Sequence, residues 1–557
     1  MTHTTGDTPT MGTSPRRKED QRLLTGRGRF VSDLQLPRLR HVAFVRSPFA
    51  HAAVTNIDTG DLDLDQHPVF TSASPGFELG LRAQSALPGY VETEQPPLAR
   101  GKVRFAGEAV AAVVADDRYQ AEDAAESVVI DYEPLPVTVR AWNAPAHPVH
   151  DDASDNVLLS RTFEAGAVDD ALAGAAVVVR RELVTNRHGG NPMEGRAGVA
   201  LWEGGPTDGQ LTFWSGTQIP HLVRNMLAEL LDIPESRVRV IAADVGGGFG
   251  TKAVLYPEDL ALCLMARSLP GTPLKWVEDR SEHLASATAA RDHRYELEAG
   301  FDADGRLVGI RGDAWCNVGA YSVYPWTAGI EALMAGGLLS GPYKLEHYRC
   351  TVRGVATNTA PSGPYAGGTT GHGLRHGVSA RLRRTSTRID PIDIRRINLI
   401  GPDDVPYRMP TRLIDDTGHY AECLDQCVER LGLADLRAEQ LRRRLHGGRP
   451  IGIGIACYNE LTGLGRAASA GPRMPFRTGH EACTVRVNHR QGPRALRRHV
   501  TRSGLETTPG AGRRRRRRCP IRRRRGALRR HPTSRWGVRC LLVSPGRHRR
   551  RGGEPGR

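Results

Sequence analysis

The stretch best suited to chemistry is Asp244-Val245-Gly246-Gly247-Gly248-Phe249-Gly250-Thr251-Lys252. Successive glycines let the backbone approach a ligand closely and aim its N–H groups at oxyanions, as no larger residue allows. The spacing is neither the G-x-G-x-x-G of a dinucleotide fold nor the G-x-x-x-x-G-K-[ST] of a P-loop. Alone, the loop reads equally well as a structural turn or as a ligand cradle. Phe249, between glycines, is a poor core residue and suits a pocket wall. Upstream stand Pro192-Met193-Glu194 and Ser215-Gly216-Thr217-Gln218, and downstream Leu274-Lys275-Trp276-Val277-Glu278-Asp279-Arg280. Out of context, Gln218 reads as a surface amide.

The elements that must position this loop are legible around it. An apolar run predicts a strand over 238–245, and Pro257-Glu258-Asp259 marks a helix start, because proline costs no hydrogen bond in the first turn and carboxylates favour the positive end of the dipole. Leu222, Met226, Leu227, Leu230 and Leu231 fall on one face of a helix. Nearer the N-terminus, short strands punctuated by proline are followed by a strand over 109–115, a helix over 118–127 and a strand over 128–132, a compact α/β unit ending near residue 137. Residues 294–301 and 306–315 read as a hairpin turning at Gly305. Tyr420, Cys423, Leu424, Cys427, Val428 and Leu431 mark a helix whose cysteines are expected in the core.

The formal charge of +16 over 557 residues is concentrated in one place. Residues 489–557 hold 24 Arg and only two acids, Glu506 and Glu554, so the rest of the chain is net negative. Lysine is rare, five residues against 72 Arg, which suggests a GC-rich coding sequence. Nine cysteines without dense spacing or secretory context suggest reduced thiols. No apolar run approaches the ~20 residues of a membrane span, and Arg16-Arg17 lacks the apolar stretch of an export signal. A cytoplasmic location is expected.

Taken in order, the motifs resemble the molybdopterin-binding large subunit of the xanthine dehydrogenase, aldehyde oxidase and aerobic carbon monoxide dehydrogenase superfamily. Gly-Gly-Gly-Phe-Gly followed by Lys is similar to its molybdopterin loop. The Thr-Gln and Pro-Met-Glu segments also match, and Gly107-Glu108 through Tyr132-Glu133-Pro134-Leu135-Pro136 resembles its α/β hammerhead domain. The resemblance implies an α+β fold, with a hammerhead domain over 16–140 and the first part of an incomplete molybdenum-cofactor-binding domain over 150–488, aberrant over 366–388; from composition, disorder is expected over 1–15 and in the Arg-rich tail over 489–557. It implies that the Gln218 amide hydrogen-bonds an oxo ligand of molybdenum, and that Gly247, Gly248, Phe249 and Gly250 line the cofactor, with no protein ligand to the metal itself. The implied reaction is hydroxylation of an aldehyde or N-heterocycle with water-derived oxygen, assisted by a carboxylate base. Molybdenum-molybdopterin is the implied cofactor, the cytosine dinucleotide form being one option. Electrons would leave through a 2Fe-2S small subunit and an FAD-binding medium subunit, because the chain has no C-x-x-x-x-C-x-x-C cluster and no flavin-type glycine motif.

The resemblance breaks twice. After Gly363-Pro364-Tyr365 the family has Arg, whereas Ala366 follows here, and residues 371–388 carry five Arg and no acid. The pattern resumes at Ile389-Asp390-Pro391-Ile392-Asp393-Ile394, as a frame shift later restored would produce. No Cys lies between Cys350 and Cys423, where a carbon monoxide dehydrogenase would bind copper. Beyond Asn488 only Ser503-Gly504-Leu505-Glu506-Thr507-Thr508 resembles the second cofactor loop. The family's C-terminal catalytic Glu finds no match, since Glu554 in Gly553-Glu554-Pro555 lacks the surrounding domain. Impaired turnover is therefore expected, with a non-catalytic remnant as the alternative. A nucleic-acid role for the Arg tail is weaker, because no aromatic interleaving or recognition module accompanies it.

Overall fold

The apolar run Ala-Val-Ala-Ala-Val-Val-Ala forms the strand Ala109–Ala115, and every one of its residues is buried. That composition suits a strand covered on both faces. In the computed structural model, residues 16–143, 147–205, 207–365, 389–416 and 418–459 are described, together with the backbone of the paired strands Val485–Asn488 and Gly492–Leu496. The frame-shift island, the Arg tail and Glu554 lie outside the described residues.

Ala109–Ala115 is not confined to an N-terminal unit. It pairs antiparallel with Arg40–Arg46, which itself pairs parallel with Leu274–Val277. The sheet continues through Ala197–Glu203 and Gln210–Ser215 to Val238–Ala242, seven strands with Val69–Thr71 at the far edge. The segment read as one α/β unit sends its strands to two sheets but keeps one core, in which Ala111, Val113, Ala124 and Val128 pack with Ile57 and Ile130. Its helix, Arg118–Glu126, packs on Arg40–Arg46 and Ala109–Ala115, while its last strand, Val129–Pro134, joins a separate three-stranded sheet with Ala52–Asp58 and Lys102–Val103.

The helix Pro257–Ser268 explains why the large sheet is so apolar. Leu260 to Ala266 are buried without a break, and they fill one core with Trp202, Phe213, Leu274 and Trp276. The helix Pro220–Leu230 presents Val223, Met226 and Leu227 to the same core, as its periodicity predicts. Asp259 accepts the Tyr256 N–H at 3.1 Å, a capping bond at the helix start that proline and the two acids mark. Glu258, by contrast, is buried against two arginines, so its acid serves an internal ion pair as well as the helix dipole.

A five-stranded sheet forms the second layer. Val177–Gly189 pairs with Ala289–Phe301, which turns through Gly305 into Leu307–Gly319, a longer hairpin than its polarity pattern outlines. A crossover carrying the helix Gly329–Gly337 then returns to His347–Ala356, parallel to Leu307–Gly319. The helix Pro391–Asn398 places Ile394 in this core. The helix Tyr420–Leu431 packs through Leu424 and Val428, which leaves Cys423 and Cys427, one position back around the helix, exposed rather than in the core. All six described cysteines are free thiols. Among the described residues, no helix is long and apolar enough to cross a membrane.

Candidate functional site

The strand predicted over 238–245 stops at Ala242, because its partner Gln210–Ser215 runs out at Ser215, the residue opposite Ala242. The chain is released there into the glycine loop and is recaptured at Tyr256, the N-cap of Pro257–Ser268. Gly247, Phe249 and Gly250 all take positive φ, +98°, +52° and +100°. For Phe249 this is a strained conformation, and its ring is 55% exposed, so burial does not compensate for it. A Cβ on Gly248 would fall 2.3 Å from Gln218 Oε1, and one on Gly250 would fall 2.2 Å from Pro364 O. At Gly250 the clash is with backbone and φ is positive, so no side chain fits; at Gly248 one would displace the Gln218 amide.

The loop is held from three distant segments and by Tyr256 just beyond its end. Gln218 Oε1 accepts the Gly250 N–H at 3.0 Å, and the Gln218 N–H donates to Lys252 O at 2.8 Å. Because Gly250 can only donate, the carboxamide oxygen of Gln218 must face it, which leaves the amide NH2 turned the other way. Glu194 Oε2 accepts the Gly246 N–H at 2.7 Å and the Lys252 ammonium at 2.6 Å, while the Glu194 N–H donates to Gly246 O at 3.2 Å. Burial pulls the Lys252 pKa down and the Glu194 carboxylate opposes it. Tyr256 OH donates to Thr251 O at 2.8 Å. Asp244 is fixed at the loop entrance by Arg22 and by the Arg29 N–H. With these anchors in place, the amides of Gly247, Gly248 and Phe249 meet no acceptor among the described residues. Three consecutive N–H groups without an acceptor among the described residues, beside an amide NH2, are donors available to oxygen atoms.

Beneath the loop lies a buried ion network. Arg196 donates through Nε to Glu278 Oε1 at 2.7 Å and through its backbone N–H to Glu278 Oε2 at 2.8 Å. It also reaches Glu258 at 3.2 Å and Ser286 Oγ at 2.8 Å, and its guanidinium carbon stands 3.9 Å from the centre of the Tyr256 ring. Arg46 completes the set, 2.8 Å from Glu258 and 2.9 Å from Glu282. Since Tyr256 also holds Thr251, this network is the floor on which the loop rests.

Gln218 is brought against Gly248 and Gly250, and Gly247, Gly248, Phe249 and Gly250 follow one another in the same loop. Missing from the motif reading are the Glu194–Lys252 pair, the Asp244 anchor and the Arg196 network. One signal was available: with only five lysines in the chain, two of them, Lys252 and Lys275, are buried. Among the described residues, no group of three or more His, Cys, Asp or Glu could hold a metal ion.

Residues 25–136 match the family described as the aldehyde oxidase and xanthine dehydrogenase a/b hammerhead domain, and residues 149–399 match the molybdopterin cofactor-binding domain. The nicotine 6-hydroxylase large subunit of Paenarthrobacter nicotinovorans is 34% identical over 483 residues, covering 85% of this chain and 58% of that protein. The carbon monoxide dehydrogenase large chain of Hydrogenophaga pseudoflava is 31% identical over 488 residues, 80% of this chain and 58% of the relative. The crystal structure of quinoline 2-oxidoreductase from Pseudomonas putida 86 superposes with a TM-score of 0.83 at 36% identity, over 91% of this chain and 64% of that one. The chain thus spans about 58% of the length of the curated relatives it matches.

Proposed function

The chain belongs to the xanthine dehydrogenase, aldehyde oxidase and carbon monoxide dehydrogenase superfamily of molybdopterin-binding large subunits, and on that footing we propose that it is the cofactor-holding part of a molybdenum hydroxylase acting on an aldehyde or an N-heterocycle. The observation that carries this reading is the row of unengaged amides at Gly247, Gly248 and Phe249 beside the outward amide of Gln218. The residues present fit an oxygen-rich, anionic group: they offer backbone and amide donors on a loop of glycines, and the one carboxylate bonded to the loop, Glu194, is paired with the Lys252 ammonium.

When bound, molybdenum-molybdopterin supplies the two-electron redox chemistry and the activation of water. The protein's own part is to hold and orient. Gln218 is fixed through its oxygen by Gly250, so its NH2 is available as a donor to an oxygen of the cofactor. Gly247, Gly248 and Phe249 hold N–H donors that would stabilise negative charge on a bound group without reorganisation. Phe249 offers an exposed aromatic wall against which a flat substrate would stack. The Glu194–Lys252 pair keeps the loop shape while cancelling its own charge.

The reading extends to a 2Fe-2S small subunit and an FAD-binding medium subunit as partners, to the cytosine dinucleotide form of the cofactor and to a cytoplasmic location. The test is to purify the chain with co-expressed partner subunits, then measure molybdenum and turnover of an aldehyde and of an N-heterocycle. Molybdenum in the protein supports the cofactor site; none in the wild-type complex refutes it. Turnover separates a working enzyme from the impaired chain that the sequence beyond Asn488 suggests.

A further inference from the structure

We propose that the N-terminal strap, residues 22–34, is a positioning element for the glycine loop, and that it acts through Asp244. The strap meets the loop across more than two hundred residues of sequence. Arg22 donates through Nη1 to Asp244 Oδ2, and the Arg29 N–H donates to the same oxygen at 2.8 Å. The Asp244 N–H returns a bond to Arg29 O at 3.0 Å, so both the side chain and the backbone of Asp244 are tied to the strap. Phe30 closes the contact: its ring edge stands 3.3 Å from where a Cβ on Gly246 would be.

A clamp positions its load only if its own far end is fixed. Val31 is fully buried, in a cluster with Ala197 and Val199 of the large sheet. Beyond it, the buried Lys275 ammonium donates to Ser32 O at 2.6 Å and to Leu34 O at 2.9 Å. The strap is therefore pinned to the central sheet strand Leu274–Val277 at one end and to the loop entrance at the other. Asp244 lies between Ala242, where sheet pairing ends, and Gly246, where Glu194 takes hold. Freeing Asp244 would let the first half of the loop pivot about Ala242 and shift the amides that follow. Arg22 is a positioning residue in this scheme, since it acts on the loop through Asp244.

The test compares the full chain with Arg22→Met and Arg22→Lys by hydrogen exchange at the Gly246 and Gly250 amides, both of which are bonded to side chains other than Asp244. Arg22→Met is expected to raise their exchange about ten-fold, the size of one lost charge-assisted hydrogen bond, and Arg22→Lys to restore it. Unchanged exchange at Gly246 and Gly250 in Arg22→Met, with faster exchange only in residues 16–30, overturns the proposal. Molybdenum retained after gel filtration of the complex gives a second readout, which alone rests on the cofactor reading. Faster exchange with reduced molybdenum supports both claims, whereas faster exchange with unchanged molybdenum supports the strap and counts against the loop as the cofactor site.

Discussion

Glu278→Gln should destabilise the protein by about 3 kcal/mol at neutral pH, and the loss should fade in acid. The Glu278 side chain has no solvent exposure. Burial pushes its carboxyl up, but the Arg196 charge, the His283 ring at 2.9 Å and the paired Arg196 donors outweigh burial and bring the pKa from 4.5 to about 2. At roughly 1.4 kcal/mol per unit, that difference is worth about 3 kcal/mol, a large share of the roughly 5–15 kcal/mol by which folded domains are stable. The sign follows from a folded pKa below the unfolded one: the stabilisation is complete above about pH 4.5 and is lost as pH falls toward about 2. Glutamine keeps the shape but turns an NH2 toward donors of Arg196, so the neutral-pH value is a lower bound. Urea unfolding of the full chain and of the variant at a series of pH values measures the gap. An equal gap at about pH 3 and about pH 7, or no gap at neutral pH, would refute the electrostatic reasoning.

Three further outcomes are expected. Gln218→Glu keeps an oxygen for the Gly250 N–H but removes the outward donor, so Gly250 exchange should stay slow while any turnover of the complex drops about a hundred-fold, the scale of one lost oxyanion donor. Gly250→Ala, with a Cβ 2.2 Å from Pro364 O at a φ of +100°, should cost about 1–3 kcal/mol in denaturant titration and strip molybdenum from the purified complex. Burial raises Glu108 and Asp259 to about 7, so the folded state holds protons there that the unfolded chain releases; stability should fall as pH rises from about 4.5 to 7, and thermal melts across that window measure it.

Much of this architecture is legible because local signals act locally. Proline at the first turn and a periodic apolar face are enough to place Pro220–Leu230 and Pro257–Ser268, and an unbroken aliphatic run is enough for Ala109–Ala115. What escapes the sequence is pairing between segments. Nothing near Arg40 announces a parallel partner at Leu274, so the sheet that runs across the hammerhead boundary is invisible until the register is seen. The exposure of Cys423 and Cys427 escapes for the opposite reason: the apolar stripe there is wide, and only packing decides that Leu424 and Val428 form its centre.

The same limit explains why the loop residues could be named but not their supports. Gly247 to Gly250 stand together in sequence, so their common purpose shows as a motif. Glu194, Gln218, Arg29 and Tyr256 each bond the loop from a different place, and each is an unremarkable residue by type. Their roles differ in kind as well. Gln218 and Gly250 together decide which way an amide faces, Glu194 neutralises the Lys252 charge beside the loop, and Tyr256 transmits the rigidity of the Arg196 network to Thr251. A loop of glycines has almost no conformational preference of its own. Its shape must be imposed from outside, and so the groups that determine where its free amides point lie in those other segments rather than in the motif itself.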